Sequence, residues 1–226
     1  MTSFTRMFIN PSKRQGRKLL LNPQAMHAAV RGAFPPDLNT SEGRVLWRID
    51  SDRDVHTLYI VGPEVPDMTA LNEQAGWHTR PAQTADYQPF IDGLRIGQEW
   101  RFRLAANPVR SVKGKADRGV VKPHVSVAHQ TEWLLDRAER MGVEFLAPEG
   151  AEAGELITVS SRSSLEFDRF DRVREQRGRV NLRRVQFDGM LRVTDRDALS
   201  ETLVKGIGRG KAYGMGLLTL TKAQSQ

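Results

Sequence analysis

Gln24, His27 and Arg31 recur at intervals of three and four residues along Asn22-Pro23-Gln24-Ala25-Met26-His27-Ala28-Ala29-Val30-Arg31. On a helix that spacing sets them on one polar arc, within about 60° of one another at about 100° per residue. Met26, Val30, Ala33 and Phe34 fall on an adjacent arc and face the core. Imidazole titrates near neutral pH, so His27 can give or take a proton under physiological conditions. Arg31, four residues on, can reach the same ligand. A histidine beside a cation and an amide suits acid–base work on a phosphodiester. A single helical histidine is also an ordinary surface residue, so the reading rests on the rest of the chain.

That remainder points to anions. Gly206-Ile207-Gly208-Arg209-Gly210-Lys211-Ala212-Tyr213-Gly214-Met215-Gly216 packs five glycines and two cations into eleven residues. Such a loop lets backbone approach a partner closely, and Arg209 and Lys211 favour an anionic one. It is no Walker loop, because it lacks Gly-Lys-Ser or Gly-Lys-Thr and runs helix, loop, strand. A basic stretch carries Arg101, Arg103, Arg110, Lys113, Lys115, Arg118 and Lys122. A second carries Arg162, Arg169, Arg172, Arg174, Arg177, Arg179, Arg183 and Arg184, diluted by four carboxylates. Read as loops, both are either solvated surface or phosphate contacts, for which the arginine fork is well suited. A formal charge of +7 over 226 residues fits a polyanionic partner.

Other chemistries are excluded. With no cysteine, disulfides, thiolate catalysis and Cys-based zinc sites are ruled out. The five histidines show no metal-ligand spacing, so neither metal nor other cofactor is expected. His124 and His129 flank a helix start and read as structural or phosphate contacts; His56 and His78 carry no assigned role. The start of the chain lacks a long apolar run, so neither a signal peptide nor a membrane span is expected, and the cytoplasm is the expected location.

These side chains need a scaffold, and the chain reads as an α+β protein in two similar halves. Phe4–Ile9 reads as a strand. Asn22 caps a helix with Pro23 at its first position, and Pro35-Pro36 ends it near Phe34. Arg44–Ile49 and Val55–Val61 form a hairpin, followed by a short helix near Met68–Gln74 and a weak strand near Trp77. The order repeats as Trp100–Leu104, a helix from Ser126 through Arg140, Glu155–Ser160, Val185–Val193, a helix from Asp195 to Gly206, and Leu217–Leu220. Strand, helix, two strands, helix, strand is the ferredoxin-like order shared with RNA-recognition modules. Two tandem units follow: residues 1–90, carrying His27, and 91–226, carrying the basic loops and the glycine loop. The segment 81–97 reads as the linker. No aromatic stacking motif of the recognition modules is present.

Three segments carry a resemblance. Asn22-Pro23-Gln24-Ala25-Met26-His27, then Phe102-Arg103-Leu104-Ala105-Ala106-Asn107-Pro108, then the glycine loop with Leu217-Leu218-Thr219-Leu220 span most of the chain in order. Together they resemble the CRISPR repeat-processing endoribonucleases of the type I-E system, the CasE subfamily. The resemblance implies tandem ferredoxin-like domains and metal-independent cleavage of CRISPR precursor RNA at the base of the repeat stem-loop. The 2′-hydroxyl attacks in line, giving a 2′,3′-cyclic phosphate and a 5′-hydroxyl. The catalytic histidine matches His27, as acid or as base. It further implies that mature guide RNA stays bound and that the protein joins other subunits in Cascade.

One departure stands out. Some relatives carry a tyrosine where this chain has Gln24, whose amide can donate a hydrogen bond but supplies no phenolic proton. Arg31 is the first candidate for the second group, with Lys18 and Arg17 behind it. Expected RNA contacts are Arg103, Arg110, Lys113, Lys115, Arg118 and Lys122 on one side, and Arg162, Arg174, Arg177, Arg179, Arg183 and Arg184 along the stem. In the glycine loop they are Gly206, Gly208, Arg209, Lys211, Gly214 and Gly216. Two alternatives remain: a non-catalytic RNA-binding subunit of the same complex, or a general double-stranded RNA-binding protein.

Overall fold

The computed structural model describes residues 2–38, 43–112, 120–147, 157–171 and 176–222, with backbone alone at 168–171 and 176–177. The first half comprises β1 (Ser3–Ile9), α1 (Arg14–Leu21), α2 (Pro23–Gly32), β2 (Leu46–Asp52), β3 (Val55–Gly62), α3 (Thr69–Ala75), β4 (Gln83–Asp86) and α4 (Gln88–Asp92). Its sheet runs β2-β3-β1-β4, every neighbour antiparallel. The second half comprises β5 (Glu99–Ala106), β6 (Val109–Val112), β7 (Val120–Pro123), α5 (Val127–Leu135), α6 (Ala138–Met141) and β8 (Val143–Leu146). It continues through β9 (Ile157–Asp171), β10 (Gln176–Val193), α7 (Arg196–Lys205) and β11 (Leu218–Lys222). Its sheet runs β11-β5-β10-β8, with β9 paired to β10, while β6 and β7 form a separate hairpin. The protein is thus mixed α and β, built on antiparallel sheets.

Local chemistry explains most elements. Asn22 caps α2 as expected, its side chain accepting from the N–H groups of Gln24 and Ala25 at 3.0 Å. Met26 and Val30 are fully buried, which turns the polar arc of α2 away from the core. α1 escapes a sequence reading because Lys13 opens it without a side-chain cap. Gly16 sits inside it because a Cβ there would lie 2.0 Å from the Asn10 carbonyl oxygen.

Three expectations change. The proposed linker is structured: it holds β4 and α4, and Tyr87, Ile91 and Leu94 are buried in the second core. Its Gly, Pro and Gln content hid an apolar i, i+4 pair. The weak strand near Trp77 is only a bridge to Arg80, and the fourth strand comes later, at β4. The Arg-rich segment also differs from a loop, for β9 and β10 pair along it as a long hairpin. Residues 172–175, between the two strands in sequence, lie outside the described residues.

The halves share a core. Met7, Ile9, Leu19, Met26, Leu58 and Ile60 pack together in the first half. Leu46, Val61 and Tyr87 instead join Phe102, Leu104, Phe187 and Leu218 of the second. The junction is fixed by Arg48 of β2, whose side chain is 1% exposed. Its Nε and Nη2 donate to the two oxygens of Asp50 at 2.6 and 2.9 Å. Its Nη1 donates to the carbonyls of Arg103 and Leu217 at 2.8 and 2.9 Å. A further bond from Nη2 to Thr219 Oγ1 at 2.7 Å engages the last of its five N–H groups.

Candidate functional site

His27 is half-buried on α2, and its ring lies 6.4 Å from that of Tyr213, inclined at 52°. Tyr213 closes a short 3-10 turn, Lys211–Tyr213, held between Gly210 and Gly214 at φ of 87° and 76°. Tyr213 also packs against Phe167 of β9, with ring centroids 4.7 Å apart. One phenol therefore joins the histidine helix, the glycine loop and the long hairpin. Gln24 and Arg31, both half-buried, share the polar arc of α2 with His27. Lys18 and Arg17 are exposed on α1, where Arg17 donates to the carbonyls of Pro11 and Ser12. Tyr213 did not emerge from the sequence reading; the signal was an aromatic hydroxyl inside the glycine loop.

The loop is built for close packing. Ile207 N–H donates to the Gly216 carbonyl at 2.9 Å, and Gly216 N–H to the Ala105 carbonyl at 2.6 Å. A Cβ at Gly214 would meet the Trp47 ring at 2.6 Å, and one at Gly206 would meet Leu46 at 2.8 Å. Gly214 is buried against Trp47 of the first half, and Gly216 is buried within the second half against Ile207 and Ala105, so neither faces a ligand. Gly208 and Arg209 are exposed, and Arg209 bridges Asn107 of the Ala-Ala-Asn-Pro run.

The cations divide by exposure. Arg110 and Lys122 are exposed and face each other across β6 and β7. Arg162 is exposed on β9, and Arg179 is exposed on β10 but bonded to Glu166 at 2.5 Å. Arg183 is half-buried, its backbone N–H donating to Asn107 Oδ1. Two expected phosphate contacts are committed elsewhere. Arg184 is half-buried, donates to the Ile49 carbonyl at 2.9 Å, and is lowered in pKa by burial despite Asp50 nearby. Arg103 is ion-paired to Asp188 at 2.5 Å and to Asp50 at 3.5 Å. Burial opposes the Asp188 charge, but bonds from Ser160, Arg103 and Gln186 outweigh it and hold the carboxyl below its ordinary value. Lys113, Lys115, Arg118 and Arg174 lie outside the described residues, and only the backbone of Arg177 is described.

Among the described residues no cluster of three or more His, Asp or Glu could hold a metal ion, and no helix is long and apolar enough to cross a membrane. The histidine helix thus lies against the glycine loop, with the cationic hairpin beside it. The chain belongs to a family of CRISPR-associated proteins, whose model matches it over residues 4–222. Among curated relatives, the CRISPR-associated endoribonuclease Cse3 of Thermus thermophilus is 32% identical over 218 residues, 96% of this chain and 98% of the relative. The Escherichia coli Cascade subunit CasE is 29% identical over 138 residues, covering 56% of this chain and 60% of the relative. The solved structure of Thermus thermophilus Cse3 bound to an RNA representing a pre-cleavage complex superposes with a TM-score of 0.77, at 28% identity over 97% of this chain and 98% of that one.

Proposed function

We propose that the protein is a metal-independent endoribonuclease that cleaves CRISPR precursor RNA within each repeat, at the base of its stem-loop. The observation that carries this is the placement of His27 beside the glycine loop in a chain that aligns end to end with a named endoribonuclease. The 2′-oxygen bonds to phosphorus as the bond to the 5′-oxygen breaks. One proton leaves the 2′-hydroxyl and another reaches the departing 5′-oxygen. His27 handles one of these transfers, as acid or as base, and Arg31 and Gln24 hold the phosphate beside it. The products carry a 2′,3′-cyclic phosphate and a 5′-hydroxyl, and the guide RNA stays bound as the protein takes its place in Cascade, in the cytoplasm.

The scaffold on this reading is a pair of ferredoxin-like units, residues 1–90 and 91–226. The strand orders β2-β3-β1-β4 and β11-β5-β10-β8 support it, since each alternates the first and third strands between the second and fourth. Arg110, Lys122, Arg162, Arg183, Arg209 and Lys211 are the described cations that grip phosphates. A-form RNA hides its base edges in a deep, narrow major groove, so phosphate and shape carry recognition.

The test is incubation of a repeat stem-loop with the protein in excess EDTA. Cleavage at one position is the expected result, leaving one fragment whose 3′ end resists ligation until its cyclic phosphate is removed and another whose 5′-hydroxyl accepts phosphate from a kinase. Loss of cleavage in EDTA, restored by a divalent ion, would exclude the mechanism.

Tyr213 supplies the phenolic group that Gln24 does not. Replacing it with phenylalanine keeps the ring against Phe167 and removes only the hydroxyl. Single-turnover cleavage is expected to fall about tenfold or more, at the low end of acid–base contributions, with RNA affinity unchanged. An unaltered rate in Tyr213→Phe would assign the tyrosine to packing alone.

A further inference from the structure

Beyond the His27 site, a cavity of about 770 Å³ opens between the β6–β7 hairpin, α5, α6, α7 and the glycine loop. Arg44, Arg110, Arg137, Arg140, Lys205, Arg209 and Lys211 line it, against one carboxylate, Glu201. That carboxylate is already bonded to Lys205 at 2.9 Å. The cations come from five separate segments of both halves, so no single amphipathic surface accounts for their convergence. Lys211 feels burial first and then the charges of Arg44 and Arg140, all of which lower its pKa. Like charges gathered around a concavity destabilise a fold unless an anion neutralises them.

The size and walls narrow the ligand. The volume lies within the roughly 300–1,000 Å³ of ligand-sized pockets, room for a short strand and not for the width of a duplex. Its one aromatic wall, Trp133, is 4% exposed and covered by the Arg137 guanidinium at 4.0 Å. Bases therefore find no free platform to stack on, and charge is what the cavity offers. Position supplies the rest: Lys211 lines the cavity, while Tyr213 of the same 3-10 turn faces His27. A strand that passes the histidine reaches the cavity within one turn of the loop.

We infer that this cavity binds the phosphates of unpaired RNA adjoining the base of the stem, with Arg44, Arg137, Arg140 and Lys205 extending the phosphate grip of Arg110, Arg209 and Lys211 beyond the stem. The inference rests on the endoribonuclease reading. Its test uses the whole chain and a repeat stem-loop made uncleavable by a 2′-deoxy sugar at the scissile position. The stem-loop is compared alone, with a 5′ unpaired extension, and with a 3′ one. An extension on at least one side is expected to tighten binding on the order of tenfold, with a salt slope steeper by about 0.7 for each added phosphate contact. The double charge reversal Arg44→Glu, Arg140→Glu should abolish that gain and leave the bare stem-loop bound as before. Both side chains are exposed, so an unchanged melting temperature is the folding control.

No gain from either extension in the wild-type protein would overturn the inference. So would a double variant that loses bare stem-loop affinity as strongly as extended affinity, since the cations would then belong to the stem grip. Cleavage of the all-ribose RNA is read separately. A protein that gains from the extension but never cuts retires the nuclease reading and leaves the cavity, and the reverse pattern does the opposite.

Discussion

Replacing His27 with alanine is expected to slow single-turnover cleavage of a repeat stem-loop by about 10²–10⁴-fold, with affinity for the uncut RNA retained. The separation of the two effects follows from where the residue sits. His27 is half-buried on the polar arc of α2, while the positions that hold that helix in place, Met26 and Val30, are untouched. Alanine is the strongest helix former, so the substitution does not unravel α2. The cations proposed to grip phosphates on β6, β7 and β9 are remote from it in sequence and carried by other elements. Single-turnover conditions matter because tight product binding would otherwise set the observed rate and hide the chemical step. Wild-type cleavage by His27→Ala would remove the residue from the mechanism.

The second large effect lies away from the chemistry. Arg48→Ala is expected to destabilise the protein by about 3–5 kcal/mol, the scale of breaking a buried ion pair from one side. The variant takes from the Asp50 carboxylate its two close bonds, leaving Arg103 at 3.5 Å, and strands the carbonyls of Arg103 and Leu217, which Arg48 now satisfies at 2.8 and 2.9 Å. Spread over a chain of this size, that loss corresponds to a melting temperature lower by about 6–20 °C. Arg48→Lys should recover only part of it, because one ammonium cannot span acceptors on β2, β5 and the approach to β11. Thermal and denaturant unfolding check the order wild type, Lys, Ala. A melting temperature for Arg48→Ala within a degree of wild type would mean that water replaces the guanidinium at little cost.

Much of this was legible in the residues, and the failures have identifiable causes. The α2 helix was readable because Asn22, Pro23 and the Met26–Val30 arc all agree. The strands of the second sheet were readable from the alternation of Phe102 with Leu104 and of Val185 with Phe187. Arg184 and Arg103 were misleading, since a basic run in sequence carries no sign of which cations meet a carbonyl or a carboxylate from another strand. Arg48 illustrates the same limit: it sits two residues from Leu46, on the strand face that the second half covers, and only tertiary packing makes that face an interior. The pairing of Tyr213 with His27 joins residues 186 positions apart, and no local pattern announces such a meeting.

The length of β10 has a mechanical consequence. Val185–Arg192 is clamped against β5, whereas Gln176–Arg184 pairs, among the described residues, with no strand but β9, and the register slips between Gln186 and Phe187 near the root. The outer part is a cantilever some 30 Å long at about 3.3 Å per residue. A tilt of about 5° at the root would carry its far end by roughly 2–3 Å over that length, most of the roughly 3.4 Å rise per nucleotide along one strand. The Phe167–Tyr213 pair meets the beam partway out and ties it to the loop beside His27. For RNA laid along the hairpin, accuracy in choosing the bond to break is then a matter of stiffness. The tyrosine is the strut that keeps the ruler aligned with the blade.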